Sequence, residues 1–147
     1  MRKEAVLAYT AGIIDGEGSI HLTKGRNRKL KQGYCISLVI SVGNTNEWLV
    51  QWLKMQFGGQ VYYKDCQNPK WKPCWTWIIA NKQAGEFLEL ILPYLQIKRP
   101  QAEIALDFQS RKISRHLSSE EAAIQETQRI LMGAMNKKGK SYDERAG

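Results

Sequence analysis

The stretch Tyr34 to Val42, YCISLVISV, alternates with a period of two. Ile36, Leu38, Ile40 and Val42 fall on one face, and Cys35, Ser37, Val39 and Ser41 on the other. A strand with one greasy face and one small, mostly polar face belongs to a half-buried antiparallel sheet. It demands helices on the greasy side and leaves the other side free. Residues 19–30 start with β-branched side chains and become polar and basic, with Gly25 and Asn27 loosening them. They read as a strand running into an exposed hairpin tip. Residues 60–65 (QVYYKD) and 75–80 (WTWIIA) make a second hairpin around a polar loop, 66–73. Strand 75–80 is apolar at places on both faces. Pattern alone leaves open which side carries Trp75 and Trp77, the core being the favoured one.

Helices fill the remainder. Residues 46–57 carry an apolar stripe of Trp48, Leu49, Trp52, Leu53 and Phe57, with Asn44 or Thr45 as candidate cap and Gly58-Gly59 as stop. Residues 82–92 end at Pro93, with Ala84, Phe87, Leu88, Ile91 and Leu92 inward. Pro100 suits the first turn of a helix running to about residue 113, with Ile104, Ala105 and Phe108 inward. Ser118 or Ser119 opens a last helix with the look of a capping box, followed by Ile124, Thr127, Ile130, Leu131 and Met135. Residues 136–140, NKKGK, read as a basic turn before a frayed end. The expected fold class is α+β, in the order α-ββ-α-ββ-α-α-α: four antiparallel strands with helices on one face. There is no βαβ alternation and no Gly-rich phosphate loop. Residues 15–26 are not an EF-hand, since Ile20 and Arg26 stand where Gly and Glu are needed.

The length of 147 residues suits one domain, 1–147, with its own core. A net charge of +8 favours polyanions, and five basic residues without an acid lie between Ile20 and Gly33. If the helices cover one sheet face, the other presents small polar residues with Lys and Arg at its margin, which suits phosphates and groove edges. Arg26 and Arg28 are candidates for guanine or phosphate, and Thr23, Asn27 and Gln32 for base edges or waters. The bland alternative is a solvated hairpin whose charges prevent edge aggregation. Three cysteines without a CxxC argue against a zinc site and a disulfide framework. Cys66 and Cys74 flank one hairpin, but free thiols are the better reading. No run is long and apolar enough for a membrane span and none resembles a signal segment, so a soluble, intracellular protein is expected, its compartment undetermined.

The stretch LAYTAGIIDGEGS, Leu7 to Ser19, carries the chemistry. Its helical part, residues 5–14, has Ala8 and Gly12 four apart on one face and Ala11 nearby, all small enough for close backbone approach. Asp15 and Glu17 follow, interleaved with Gly16 and Gly18, which are expected to end the helix. Carboxylates at a helix C-terminus oppose the macrodipole. A divalent cation would relieve them.

TAGIIDGEG resembles the signature motif of the LAGLIDADG homing endonucleases, with five of nine letters identical. SVGNTNEWLVQWLKMQFGG and ILPYLQIKRPQAEIALDF resemble the family's next helices in the right order, and NKKGK is similar too. The resemblance implies an αββαββα core with a four-stranded saddle for DNA and further C-terminal helical and basic residues, 118–147. A one-motif chain in this family acts as a homodimer, so motif helix 5–15 becomes a seam, with Ala8, Ala11, Gly12 and Asp15 at the interface. The implied activity is a metal-dependent double-strand break in a long pseudo-palindromic DNA target. The alternatives are an RNA maturase or regulator that binds without cutting, and an interaction module whose basic hairpin is incidental.

By the same resemblance Glu17 is the catalytic acid and ligand for Mg²⁺, or for Mn²⁺ or Ca²⁺, with the Gly16 carbonyl as second ligand. Lys98 falls on the active-site lysine. Asn44 falls near a position often held by Gln, and Glu47 and Trp48 stand where some relatives have a basic residue. Asp15 is assigned a structural role. The implied DNA-facing set starts with His21, Thr23, Lys24, Arg26, Arg28 and Lys29. Lys31, Gln32, Ser37 and Ser41 continue it. The second hairpin adds Tyr62, Lys64, Lys70, Lys72 and Thr76, and the C-terminal segment adds Lys137, Lys138 and Lys140. Double-stranded DNA and a second copy are the implied partners; a membrane or small-molecule substrate is not.

Overall fold

The computed structural model describes residues 2–64, 73–112 and 116–146, with side chains followed as far as Lys137. Helix α1 (Lys3–Glu17) leads into the hairpin β1 (Gly18–Arg26) and β2 (Tyr34–Asn44). Helix α2 (Glu47–Phe57) connects to the hairpin β3 (Gln60–Lys64) and β4 (Cys74–Ala80). Helix α3 (Asn81–Ile91), a 3₁₀ turn (Leu92–Tyr94), α4 (Arg99–Ser110) and α5 (Ser119–Ala146) complete the chain. The four strands form one antiparallel sheet in the order β1-β2-β4-β3. This is the α+β architecture that the alternation in β2 demanded.

Register settles the faces. Ile20 pairs with Ile40 and Leu22 with Leu38, while Val42 pairs with Trp77 and Ile40 with Ile79. All of these are buried beneath the helices. Trp77 therefore faces the core, where its Nε1 donates to the Gly58 carbonyl at 2.7 Å and its ring meets Phe87 edge-on. Trp75 points the same way, half-buried against Tyr63. Each large apolar side chain so enclosed contributes about 1.5–3 kcal/mol.

Several expectations are corrected. Helix α1 does not stop at residue 14 but runs through Gly16 to Glu17. Gly18 ends it in extended conformation, its N–H reaching the Ile13 and Ile14 carbonyls. Glycine is needed there for close approach, because a Cβ would lie 2.8 Å from the Ile14 Cα. The cap of α2 is Asn46, whose side chain accepts from the Trp48 N–H, rather than Asn44 or Thr45. The inward face of α2 is Val50, Trp52, Leu53 and Phe57, as expected for the last three, while Trp48 is 61% exposed. Trp52 is buried on the side toward α1, between Tyr9 and the exposed Trp48.

Helix α4 ends at Ser110, three residues earlier than expected, and buries Ala102, Ala105 and Phe108. Helix α5 opens as expected, with Ser118 Oγ accepting from the Glu121 N–H and donating to its carboxylate. Its inward residues differ: Gln125 and Met132 are buried, while Ile130 and Leu131 are exposed. The helix lies along strand β1 at the sheet edge, and Asn136 Nδ2 donates to the Ile20 carbonyl there. Residues 136–140 are not a turn but part of α5. Cys35 and Cys74 are free thiols; Cys66 lies outside the described residues. Among the described residues no helix is long and apolar enough to cross a membrane.

Candidate active site and nucleic-acid interface

The last turn of α1 carries two carboxylates with different surroundings. Asp15 is half-buried and turned toward the segment entering α4. Its Oδ2 accepts from Gln96 N at 2.9 Å, and its Oδ1 accepts from Ile97 N at 3.1 Å and Lys98 N at 2.9 Å. Lys98 completes the tie: its Nζ donates to the Asp15 carbonyl at 2.8 Å, supplying a positive charge at the helix's negative end. Burial pushes the Lys98 pKa below the usual lysine range, and the Asp15 charge partly offsets this.

Glu17 is exposed. Asn44 Nδ2 donates to Glu17 Oε2, and Asn44 Oδ1 accepts from Asn46 N at 2.8 Å, so the end of β2 and the start of α2 orient the carboxylate. Gly16 is exposed beside it. Oxygen donors of this kind suit a hard divalent cation. Among the described residues, however, no group of three or more His, Cys, Asp or Glu could hold a metal. The fit is therefore partial: one chain supplies a single free carboxylate and needs further oxygens from outside itself.

Ala8, Gly12 and Gly16, four apart, are exposed along α1, with open space where a Cβ of Gly12 or Gly16 would sit. Ala11 lies on the opposite face, fully buried with Leu7, Thr10 and Ile14. It is thus turned away from the exposed stripe, as is Asp15 toward α4. A cleft of 660 Å³ runs beside the stripe, walled by Gly12, Gly16, Glu17, Asn44, Trp48 and Leu49.

The sheet's other face is free of helices. Its parity collects Ser19, His21 and Thr23 from β1, Ser37 and Ser41 from β2, Thr76 from β4, and Tyr62 and Lys64 from β3. Ser19 Oγ bonds to His21 Nε2 and stands 3.3 Å from Ser41 Oγ, and burial pushes the His21 pKa down. Arg28, Lys29 and Lys31 are exposed in the hairpin tip.

Two expected members lie elsewhere. Lys24 pairs with Ile36 and so points to the helix side, with Nζ 3.5 Å from Glu126 and 4.3 Å from the centre of the Tyr34 ring. Gln32 turns inward: its Nε2 donates to Tyr34 O and its Oε1 accepts from Leu117 N. Arg26 shares the parity of Lys24 but is exposed at the strand end. Lys137 is exposed on α5. Lys70 and Lys72 lie outside the described residues, as do the side chains of Lys138 and Lys140. Ser19 was missed by the sequence reading, although it shares the parity of His21. Asn46, which locks Asn44, is a capping residue whose neighbours Asn44 and Thr45 offered the same chemistry.

The comparisons agree with this geometry. The homing endonuclease I-CvuI, solved in complex with its target in the presence of Ca, superposes with a TM-score of 0.74 at 17% identity, over 90% of this chain and 83% of the other. The archaeal intron-encoded homing endonuclease I-Vdi141I, complexed with DNA, gives 0.77 at 16% identity, over 91% and 86%. I-GzeII, a LAGLIDADG homing endonuclease in complex with its DNA target, gives 0.65 at 17% identity, over 86% of this chain but 43% of the other. At these identities the likeness is one of fold. No curated protein matches the sequence. The family model for LAGLIDADG endonucleases matches residues 10–113, from the second half of the motif helix through both hairpins to α4. With more than half of the sequence matched and the saddle fold in place, this chain belongs to the LAGLIDADG endonuclease family.

Proposed function

We propose that two copies of this chain form a site-specific DNA endonuclease that cuts both strands of a long, roughly two-fold-symmetric target. The observation that carries the reading is Glu17: an exposed carboxylate at the end of a small-residue helix face, too few on its own to hold a cation. Packing two α1 helices along Ala8, Gly12 and Gly16 brings two Glu17 side chains together, where like charges repel unless a cation lies between them. Glu17 and the Gly16 carbonyl would hold Mg²⁺, and Mn²⁺ or Ca²⁺ could take the same oxygens. When bound, Mg²⁺ supplies Lewis acidity and a lowered water pKa at a phosphodiester. Asn44 fixes the Glu17 carboxylate, and Lys98, tethered to Asp15, places positive charge beside the phosphate.

The free sheet face lies along the duplex, with His21, Thr23, Ser37 and Ser41 toward the bases and Lys64 and the hairpin-tip Arg28, Lys29 and Lys31 toward phosphates. I-CvuI was solved in complex with its target and I-Vdi141I in complex with DNA, which supports this reading. Selection of cleaved duplexes from a randomised library with Mg²⁺ tests it. Linear products with paired nicks are expected, and binding without any cleavage overturns the endonuclease reading in favour of a non-cutting binder. Gly12→Leu tests the seam. The substitution has room on the monomer and removes a helix glycine worth about 1 kcal/mol. It should therefore raise monomer stability while light scattering shows the dimer lost.

A further inference from the structure

A second polar cavity, of 380 Å³, lies where β4 parts from β2. Strand β4 ends at Ala80, opposite Val39, and leaves the outer half of β2 with a free edge. Lys112 fills part of the gap, its Nζ donating to the Ile36 carbonyl at 3.0 Å and to Asn81 Oδ1 at 3.5 Å. Around the cavity stand Ser37, Asn81, Lys82, Gln109, Lys112 and Gln125, and among the described residues no carboxylate lines it.

Three features indicate a ligand. Gln125 is 96% buried, lines the cavity and makes no hydrogen bond among the described residues. Gln109 Oε1 is also buried without a partner. An unpaired buried acceptor such as Gln109 Oε1 costs stability, and a cavity many times the roughly 30 Å³ of a water leaves room for something larger. Secondly, the N-terminus of α3 opens here without a side-chain cap or an acid in its first turn, leaving its N–H groups available. Thirdly, Asn81 at that N-terminus has φ +57°, a left-handed conformation that Asn tolerates, and its side-chain oxygen there accepts from Lys112 Nζ at the cavity. Amide donors, helix N–H groups and two ammonium ions without an acid make an anion site.

We propose that this cavity binds a phosphate group, supplied by the backbone of the duplex where it passes the margin of the free sheet face. Ser37 belongs both to that face and to the cavity wall, which joins the two surfaces. The inference rests on the DNA-binding reading, and free inorganic phosphate shares the same chemistry.

Two measurements separate these sources. In the first, a random-sequence duplex long enough to span the sheet is titrated at several salt concentrations with the wild type, Lys82→Gln and Gln125→Leu. Lys82→Gln should weaken binding and lower the salt slope by about 0.9, one phosphate's share. Gln125→Leu should bind several-fold more weakly while its melting temperature without DNA stays within a degree or so of the wild type, about the size of an apolar swap that keeps the packing. In the second, inorganic phosphate is compared with chloride at equal ionic strength, and it should raise the melting temperature of the wild type but not of Lys82→Gln. Duplex binding unchanged in both variants, with no melting shift from phosphate, overturns the proposal while leaving the DNA reading intact. A phosphate shift that depends on Lys82 in a protein that binds no duplex keeps the anion site and removes the DNA reading. The same shift in a protein whose duplex binding ignores both variants assigns the cavity to free phosphate and overturns the backbone source.

Discussion

Asp15 and Glu17 are two residues apart in the same helical turn, yet they belong to different parts of the molecule. Asp15 receives three backbone N–H groups from residues 96–98 and fastens the entry of α4 to the end of α1. Glu17 receives one side-chain amide, from Asn44, and otherwise faces outward. Both carry charge at the unfavourable end of a helix dipole, and only Asp15 is compensated within the chain. The difference separates a carboxylate that holds the fold from one that the fold holds ready.

Glu17→Gln should break the comparison most visibly. Replacing the exposed carboxylate by its isosteric amide keeps the packing and removes a charge that opposes the helix dipole, so thermal stability should rise slightly, by about 0.3–1 kcal/mol at most. If Glu17 holds the cation, several kcal/mol of transition-state stabilisation go with it, so cleavage should fall by a factor of at least about 10² while duplex binding persists. Asp15→Asn should do the reverse. An amide cannot accept from all three N–H groups, and hydrogen bonds to a charged acceptor are worth about 1.5–3 kcal/mol each, so urea denaturation should show a loss of about 2 kcal/mol. Equal losses of stability in the two variants would show that the two carboxylates share one structural task.

The sheet was legible because a period of two leaves little choice once one face is greasy, and the Ile36-to-Val42 stripe is buried as read. The direction of Trp75 and Trp77 was not, because both faces of β4 are apolar and only pairing with β2 decides between them. Helix α2 misled for a related reason. Its apolar residues serve two surfaces, the core through Val50, Trp52 and Leu53 and an exposed side through Trp48, which stacks on Trp52, so a single stripe does not separate them. The inward face of α5 is hard to read from sequence, because a buried glutamine, Gln125, occupies an inward position where an apolar residue is the usual occupant. Within the candidate site, Glu17 and Lys98 were singled out through their motifs, but nothing local reveals that Lys98 bonds the carbonyl of Asp15. The misplacement of Lys24 was avoidable: it sits one step out of phase with Thr23, so its side chain had to leave the free face.

Lys98 offers the finest test, since it bonds to the Asp15 carbonyl and carries the charge proposed to act beside Glu17. Its folded-state pKa lies below the ordinary lysine value, chiefly through burial and against the pull of Asp15. Between the lowered value and the ordinary one, the unfolded chain holds a proton that the folded chain has released. Stability contributed by this group therefore rises with pH across that window and is flat below it. Lys98→Met removes the group, so the stability of the wild type relative to the variant should climb as pH approaches the ordinary lysine value, a small effect read from urea midpoints at successive alkaline pH values. Cleavage should move the other way, because the released proton takes with it the positive charge beside the phosphate. If wild-type cleavage holds steady while relative stability climbs, Lys98 acts only with Asp15 on the structural side of the turn. If both change in opposite directions over one window, a single ammonium serves both the structural tie to the Asp15 carbonyl and the charge needed for cleavage.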